Sequence, residues 1–455
     1  MKLSLNADLL NNSFIEEPGQ FEITKCEIKS KIGIFDLTHM ITALNLYESI
    51  FKTFVTGEIF LLDRDETVSK LSITGTEPIS LEFKTLGSKY SVNVDLIVSK
   101  IKDKEKFNNN TIKYTLSLSS PDFLTNIRTK ISRSFDGSYS DIVERIYTDY
   151  LSSGVPLWLE KTKNSNRIIA PNKSPIDVIN MICQFARSSN SHNADFLFFQ
   201  TTKSFHFRSV VEMIYLNGIR PEELLFKIEE HQPSLDIPIA SKYMKVIDFE
   251  VKSDTDILKH TAIGTYGSSL IKHHLRSKTW KKHDWNYHDT FKNDDIKSLS
   301  LNEYPITPDG SVTSDRKNIS EFPDSNVSLV TGSEEYQYQK NLDHPEFQRL
   351  DYINSLLQRN SEMKSLNLQR AQLKVSGMSG LQAGDVINLR YDGSESISGL
   401  WLIESLSHQI SDKYYCVLMI IKNSNASEIL EYSELNYGDS TPEIIDASPM
   451  GSSNK

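Results

Sequence analysis

Apolar and polar positions alternate through the first quarter of the chain. Phe21–Lys29 (FEITKCEIK) and Ile32–Leu37 read as strands, and so does most of residues 41–84, ITALNLYESIFKTFVTGEIFLLDRDETVSKLSITGTEPISLEFK. In that run Ala43, Leu44, Leu46, Tyr47 and Ile50, then Val55, Ile59, Phe60 and Leu62, mark half-buried strands, with breaks at Thr56-Gly57 and Ser72-Ile73-Thr74-Gly75. Tyr90–Ile101 and Thr111–Leu118 continue the pattern around a polar connection, DKEKFNNN, and Pro121–Ile131 (PDFLTNIRTKI) predicts a closing helix. Strands separated by short turns point to an antiparallel barrel or sandwich.

From Gly137 the period changes. Ser138–Leu151 places Ile142, Val143, Ile146, Tyr147 and Tyr150 on one helical face. Ser174-Pro175, a cap followed by proline in the first turn, starts a second helix carrying Ile176, Ile179, Cys183 and Ala186. Between these helices RIIAPNKSP reads as a short strand and turn, and Ala194–Gln200 with Ser204–Val211 reads as a hairpin. Helix, strand, helix and hairpin make a small α+β unit.

Lys242–Val251 is strand-like, and IGTYGSSLIKHHLRSKTWKKHDWNYHDTF follows it. Residues 293–343 are polar and read as a surface excursion. Asp343-His344-Pro345-Glu346 has the caps of a helix start, with Phe347, Leu350, Ile353, Leu356 and Leu357 on one face. Strands resume at Ala371–Ser376, Val386–Arg390, Leu400–His408 and Tyr415–Lys422, with SGMSGLQAGDVINL as the turn between the first two. Beyond Lys422 the composition shifts to Ser, Glu, Pro and Asn, as expected of a tail or partner-binding arm.

Composition narrows the class. A chain of 455 residues with 38% hydrophobic content can fill several cores, while no apolar run approaches the roughly 20 residues that span a bilayer. The N-terminus MKLSLNADLLNNSF lacks the basic region and apolar core of a signal peptide. Three scattered cysteines, Cys26, Cys183 and Cys416, argue against a disulfide framework and for assembly in a reducing cytoplasm. With 60 acidic and 50 basic residues the net charge is -10, which disfavours nucleic-acid binding through phosphate neutralisation but suits a wall past which DNA slides.

No catalytic constellation emerges. Gly377-Met378-Ser379-Gly380 is one residue short of a nucleophile elbow and sits in a strand turn, and Gly264 and Gly267 stand alone rather than in a nucleotide-binding motif. Five of the 11 histidines, His260, His273, His274, His283 and His288, share one segment, where Asp284 or Asp289 could complete a zinc site. Their spacing matches no closed zinc motif, and Lys272, Lys278, Lys281 and Lys282 oppose a cation, which favours a solvated, mildly basic face. Phe196, Phe198, Phe199, Phe205 and Phe207 could form a stacking platform for single-stranded nucleic acid, but alternation in a hairpin favours core filling. Trp280 and Trp285, near lysines, suit a subunit contact or nucleic acid equally. The carboxylate pairs Asp63/Asp65 and Glu222/Glu223 lie in turns or on polar faces without the marks of an acid/base pair. No catalytic, cofactor-binding or metal residue is assigned.

The order of these pieces carries a resemblance. The strand run at 41–84 resembles the first tube-forming domain of baseplate hub proteins from contractile-tailed bacteriophages of the T-even type. Gly264, Tyr266, Leu270, His273, Lys278 and Tyr287 are similar to a pattern of that family, with His274 where the family carries Asp, and the Gly380–Ile387 turn resembles its GLxAGDVI turns. The resemblance implies an α+β, mostly β fold: two antiparallel tail-tube-like β-barrel domains, a small α+β domain and an inserted domain. The expected divisions are 1–131 for the first tube-like barrel, 132–238 for the α+β domain and 239–343 for the inserted, peripheral domain. The second tube-like domain follows at 344–422, including strand 242–251, and the C-terminal arm at 423–455.

The resemblance also implies a virion protein without catalysis or cofactor. Its expected form is a homotrimer that meets a central spike, a tail tube protein or tube initiator, baseplate wedge proteins and a tape measure protein, with DNA passing through its channel. Two related alternatives follow from shared domains. One is the hub or spike of a contractile injection or type VI secretion system, although no glycine-rich spike repeat follows Lys422. The other is a hub-fused cell-wall hydrolase.

Overall fold

The structure, a computed structural model, describes residues 17–422 and 443–445, apart from 65–72, 74, 109–110, 164, 192, 216–223, 229–241, 254–255, 275–277, 288, 290–323, 325, 333–349, 392 and 394–396. The first block comprises β1 (Phe21–Lys29), β2 (Ile34–Asp36), β3 (Ile41–Ser49), β4 (Thr56–Asp63), β5 (Pro78–Thr85), β6 (Ser91–Asn108) and β7 (Thr111–Ser119). Alternation decides their faces: Leu44 and Leu46 of β3, Ile59 and Leu61 of β4, and Ile79, Leu81 and Phe83 of β5 are all fully buried. One connection is shorter than expected. β6 runs on through most of DKEKFNNN to Asn108, and three shifts of register against β7 absorb the surplus residues as bulges. Lys102, just before that stretch, bonds Glu58 of β4.

The Pro121–Arg128 helix ends before Ile131, which instead opens β8 (Ile131–Ser138). The Tyr139–Ile146 helix is capped by Ser138, whose Oγ accepts from Asp141 N at 3.1 Å, and ends in a wider turn at Tyr147–Leu151. β9 (Leu157–Leu159) and β10 (Ser165–Lys173) follow, so RIIAPNK is a full strand paired antiparallel to β8. Ser174 caps the Pro175–Cys183 helix through Asp177 N. β11 (Phe196–Gln200) and β12 (Phe205–Ser209) form the hairpin, and β9 joins β12 in parallel. The buried side of these elements makes a second core separate from that of the large sheet.

After the Val210–Tyr215 helix come β13 (Leu225–Ile228) and β14 (Val246–Ser253). The inserted region holds the Ile257–Ala262 helix, β15 (Gly267–His274), β16 (Thr279–Asn286) and β17 (Val327–Gly332), the last inside the segment expected to be a polar excursion. β15 pairs antiparallel with β16 and parallel with β17. The chain returns through the Leu350–Ser365 helix, the expected start at Asp343-Pro345 lying outside the described residues. β18 (Gln369–Ser376), β19 (Val386–Tyr391), β20 (Gly399–Ile410) and β21 (Tyr414–Lys422) follow, then β22 (Glu443–Ile445) in the C-terminal segment.

Two separate closed barrels were expected; the described residues form one sheet instead. Its 13 strands run β14-β18-β21-β20-β3-β4-β7-β6-β5-β1-β2, with β19 and β13 branching from β20. The join is the antiparallel ladder from Ser405↔Ser49 to Ile410↔Leu44, which uses an edge of β3 and an edge of β20 that separate barrels would have closed on themselves. A single core accordingly contains Leu44, Leu46 and Ile59 together with Ile403, Leu406 and Leu418. The sheet also rolls over itself. Phe83 on β5 lies 5.8 Å from the His408 ring on β20 and 5.7 Å from Tyr414 on β21, strands far from it along the sheet. A lone bridge, Lys227↔Lys245, links β13 to the approach to β14.

Candidate interaction surfaces and the buried polar seam

The turn at 377–385 is the point where three parts of the chain meet. Gly377 has no room for a side chain, since a Cβ there would lie 2.0 Å from the Tyr414 ring. Ser379 N donates to Thr85 Oγ1 at 3.0 Å, Thr85 N donates to Ser379 Oγ at 3.2 Å, and Ser379 Oγ donates to Tyr90 O at 2.5 Å. That hydroxyl therefore ties the turn to β5 and its exit, and its partners are backbone groups rather than a base. Glu48, buried on β3, accepts from Thr202 N at 2.7 Å and Ala383 N at 2.9 Å, so one carboxylate joins the first block, the β11–β12 turn and the 377–385 turn. Burial raises its pKa, and burial likewise pushes Asp385 up to about 7. The lysine between them, Lys203, donates to Gly380 O at 3.3 Å and is shifted down by its own burial.

A second polar knot fastens the Leu350–Ser365 helix. Glu362 accepts from Asn193 Nδ2 at 2.9 Å, Ala194 N at 3.1 Å and Gln358 Nε2 at 2.8 Å. Arg359 donates to the carbonyls of Ala194 at 3.0 Å and Phe196 at 2.7 Å. Burial drives Asp195 to about 6 and Glu362 to about 8, the second also through the neighbouring Asp195 charge. From another side of the helix Ser361 donates to Thr265 O at 2.6 Å and Lys364 to Ile263 O at 2.6 Å. One helix thus ties the segment before β11 to the turn that precedes β15. The buried Arg208–Glu212 pair, 2.8 Å apart beside Glu160, completes this interior set.

The histidines are separated by the fold. His260 is buried with its Nδ1 3.1 Å from Thr265 Oγ1, while His273 pairs with Trp280 and His283 with Leu270 on opposite faces of the small sheet. His288 lies outside the described residues, as do Asp65, Glu222 and Glu223. Lys282 draws Asp324 to 2.5 Å and Asp284 to 3.4 Å, and no group of three metal-ligating side chains occurs among the described residues. The two tryptophans also part company. Trp285 packs with Leu270 and Leu357, whereas Trp280 is 69% exposed. Gly264, Tyr266 and Leu270 of the quoted pattern serve packing: Gly264 adopts φ +80° with Asn326 Cβ only 2.4 Å from where its own Cβ would stand, and Tyr266 meets Tyr287 edge-on at 5.9 Å.

The phenylalanines of β11 and β12 are all buried. Phe196 lies 4.8 Å from Phe207 and Phe198 stacks on Phe205 at 5.6 Å, so they fill cores and offer no face to a base. What the surface does offer is apolar groups at the ends of the large sheet: Ile32 and Ile34 at the β2 end, Ile247 and Val251 on β14. Val327 and Leu329 stand on the same face of the small sheet as Trp280. Sequence reasoning named Trp280 but missed these aliphatic positions, whose alternation resembles that of any half-buried strand.

Compared by sequence, the chain matches no protein-family model and no characterised protein. Compared by structure, it matches the 43 kDa tail protein of prophage MuSo2 from Shewanella oneidensis over 88% of this chain and 99% of that one, with TM-score 0.53 at 9% identity. The chain has a phage tail protein fold. The tail protein of Neisseria meningitidis MC58 matches similarly, over 89% of this chain and 99% of the other, with TM-score 0.50 at 8% identity. A weaker likeness, TM-score 0.47 at 12% identity, is to the Francisella PdpA–VgrG complex and covers 97% of this chain and 56% of that one.

Proposed function

We propose that this tail-fold chain is a structural protein of a contractile tail, acting as a homotrimeric baseplate hub. In this reading three copies seat a threefold central spike on one side and present six similar strand blocks to a sixfold tail tube on the other. The hub starts tube assembly, touches tape measure and wedge proteins, and surrounds part of the channel through which DNA leaves. Its place is the virion tail, after assembly in the host cytoplasm.

The observation that supports this reading most is the extent of the structural match, 88% of this chain and 99% of a tail protein. Further support comes from two strand blocks held in one sheet, with exposed apolar groups at both of its ends. Light scattering across a concentration series tests it: a mass of three chains supports the hub, and a dimer or hexamer overturns the threefold reading. The reading includes no catalysis, and a clearing band on cell-wall zymography would overturn that part.

A further inference from the structure

The sheet of the α+β domain runs β11-β12-β9-β22, and its last strand comes from the far end of the chain. β22 pairs antiparallel with β9 through Glu443↔Leu159, Ile444↔Trp158 and Ile445↔Leu157. Among the described residues β9 is held on its other side by β12, in a parallel ladder of the same length. Without β22, the outer N–H and C=O groups of Leu157–Leu159 form an open edge, which is a ready template for an extended segment.

We propose that the β9 edge is a strand-acceptor site and that, when copies of this chain assemble, it takes the Glu443–Ile445 strand of a neighbouring copy. The inference rests on the self-association proposed above and adds the segment and the edge that link one copy to the next. Reach permits the exchange. Residues 423–442 separate β21 from β22, and 20 residues can extend about 70 Å at roughly 3.5 Å each. A compact chain of this size has a radius of gyration of only about 22 Å, so the strand can arrive at an adjoining molecule's β9. Strength permits it too. A strand of three residues is short against the usual five or six, and a neighbour held in a ring competes at an effective concentration comparable to that of the tethered strand. The same backbone pairs form in either case, so exchange adds a link between copies without requiring a new surface.

The test uses full-length chains carrying one new cysteine each, with a control chain for each pair that carries both. Trp158→Cys copies are mixed with Ile444→Cys copies under mild oxidation, the native cysteines being buried. The proposal expects a disulfide-linked band at twice the chain mass, absent from either variant alone, in samples that light scattering shows to be oligomeric. A second pair, Leu159→Cys with Glu443→Cys, covers a failure of the Trp158 variant to fold. Oligomers in which the disulfide forms only when both cysteines are in one chain would overturn the exchange and leave self-association standing. Strictly monomeric samples at every concentration would overturn the self-association reading and the exchange with it. Oligomers without any disulfide from either pair, in cis or in trans, would remove the β9 edge as the acceptor.

Discussion

Gly384 sits at φ +91° with Met213 Sδ 3.1 Å and a Phe199 carbon 3.2 Å from the point a Cβ would occupy. Backbone strain and crowding therefore act together, and Gly384→Ala should cost about 1–3 kcal/mol in urea unfolding. Gly377→Ala, aimed into the Tyr414 ring, should cost more. Gly154, with open space at its Cβ and no left-handed φ, is the control, and its alanine variant should stay within about 0.5 kcal/mol of the parent. The cysteines lend themselves to another check at this scale. Burial pushes the thiols of Cys26, Cys183 and Cys416 up to about 12, so the folded chain should not react with a thiol reagent at pH 8. Three thiols should react once the chain is unfolded in denaturant.

The Leu350–Ser365 helix shows what an element can hide. Its sequence suggests an apolar face of Leu350, Ile353, Leu356 and Leu357, yet Ser355, Gln358, Ser361 and Ser365 are buried beside Leu357. Ser361 donates to Thr265 O, Gln358 Nε2 to the Glu362 carboxylate and Ser365 to Glu362 O, and these bonds offset the burial of three of the four polar side chains. A pH dependence follows. Asp195, Asp385 and Glu362 hold their protons to about 6, 7 and 8, above the unfolded carboxylate range, so the folded state binds protons more tightly there. Stability from these groups is complete below the unfolded values near 4 and is lost as pH rises through 6 to 8. Thermal unfolding should accordingly fall in midpoint from pH 5.5 to pH 8. Glu362→Gln, which cannot ionise, should narrow that difference; an unchanged pH profile would remove Glu362 from the account.

At the scale of the molecule, both strand blocks and the α+β domain are joined without any of the described contacts being a disulfide or a metal. The joints are the β3–β20 ladder and the polar knots at Glu48 and Glu362. If the proposed homotrimer forms through the open ends of the large sheet, substitutions there test it. Ile34→Lys on β2 and Ile247→Lys on β14 alter groups that are 64% and 51% exposed. Each should leave the thermal midpoint nearly unchanged, since surface substitutions away from such joints usually count for less than about 0.5 kcal/mol. Each should also weaken self-association, seen as a lower mass in light scattering at a given concentration, if these ends form the contacts between copies.

Strands, helices and faces were legible in the residues because burial on one side writes a period of two or 3.6 into the chain. β18–β21 and both capped helices of the α+β domain lie close to where alternation, Ser138 and Ser174-Pro175 put them. The residues also marked the phenylalanines of the hairpin as core and put a turn ahead of the Val386–Arg390 strand, where the structure has it at 377–385. What they could not say was which edge meets which. A strand's alternation records the face it buries and carries no mark of its neighbour along the sheet, so β3 and β20 read equally well as members of separate barrels. Long-range polar partners were hidden for the same reason: Glu48 and Ala383 lie 335 positions apart, and neither shows a local pattern. The sequence determined the elements and their inward sides; tertiary structure alone decided their partners, because ladder hydrogen bonds and buried carboxylates are satisfied only by groups brought together across the fold.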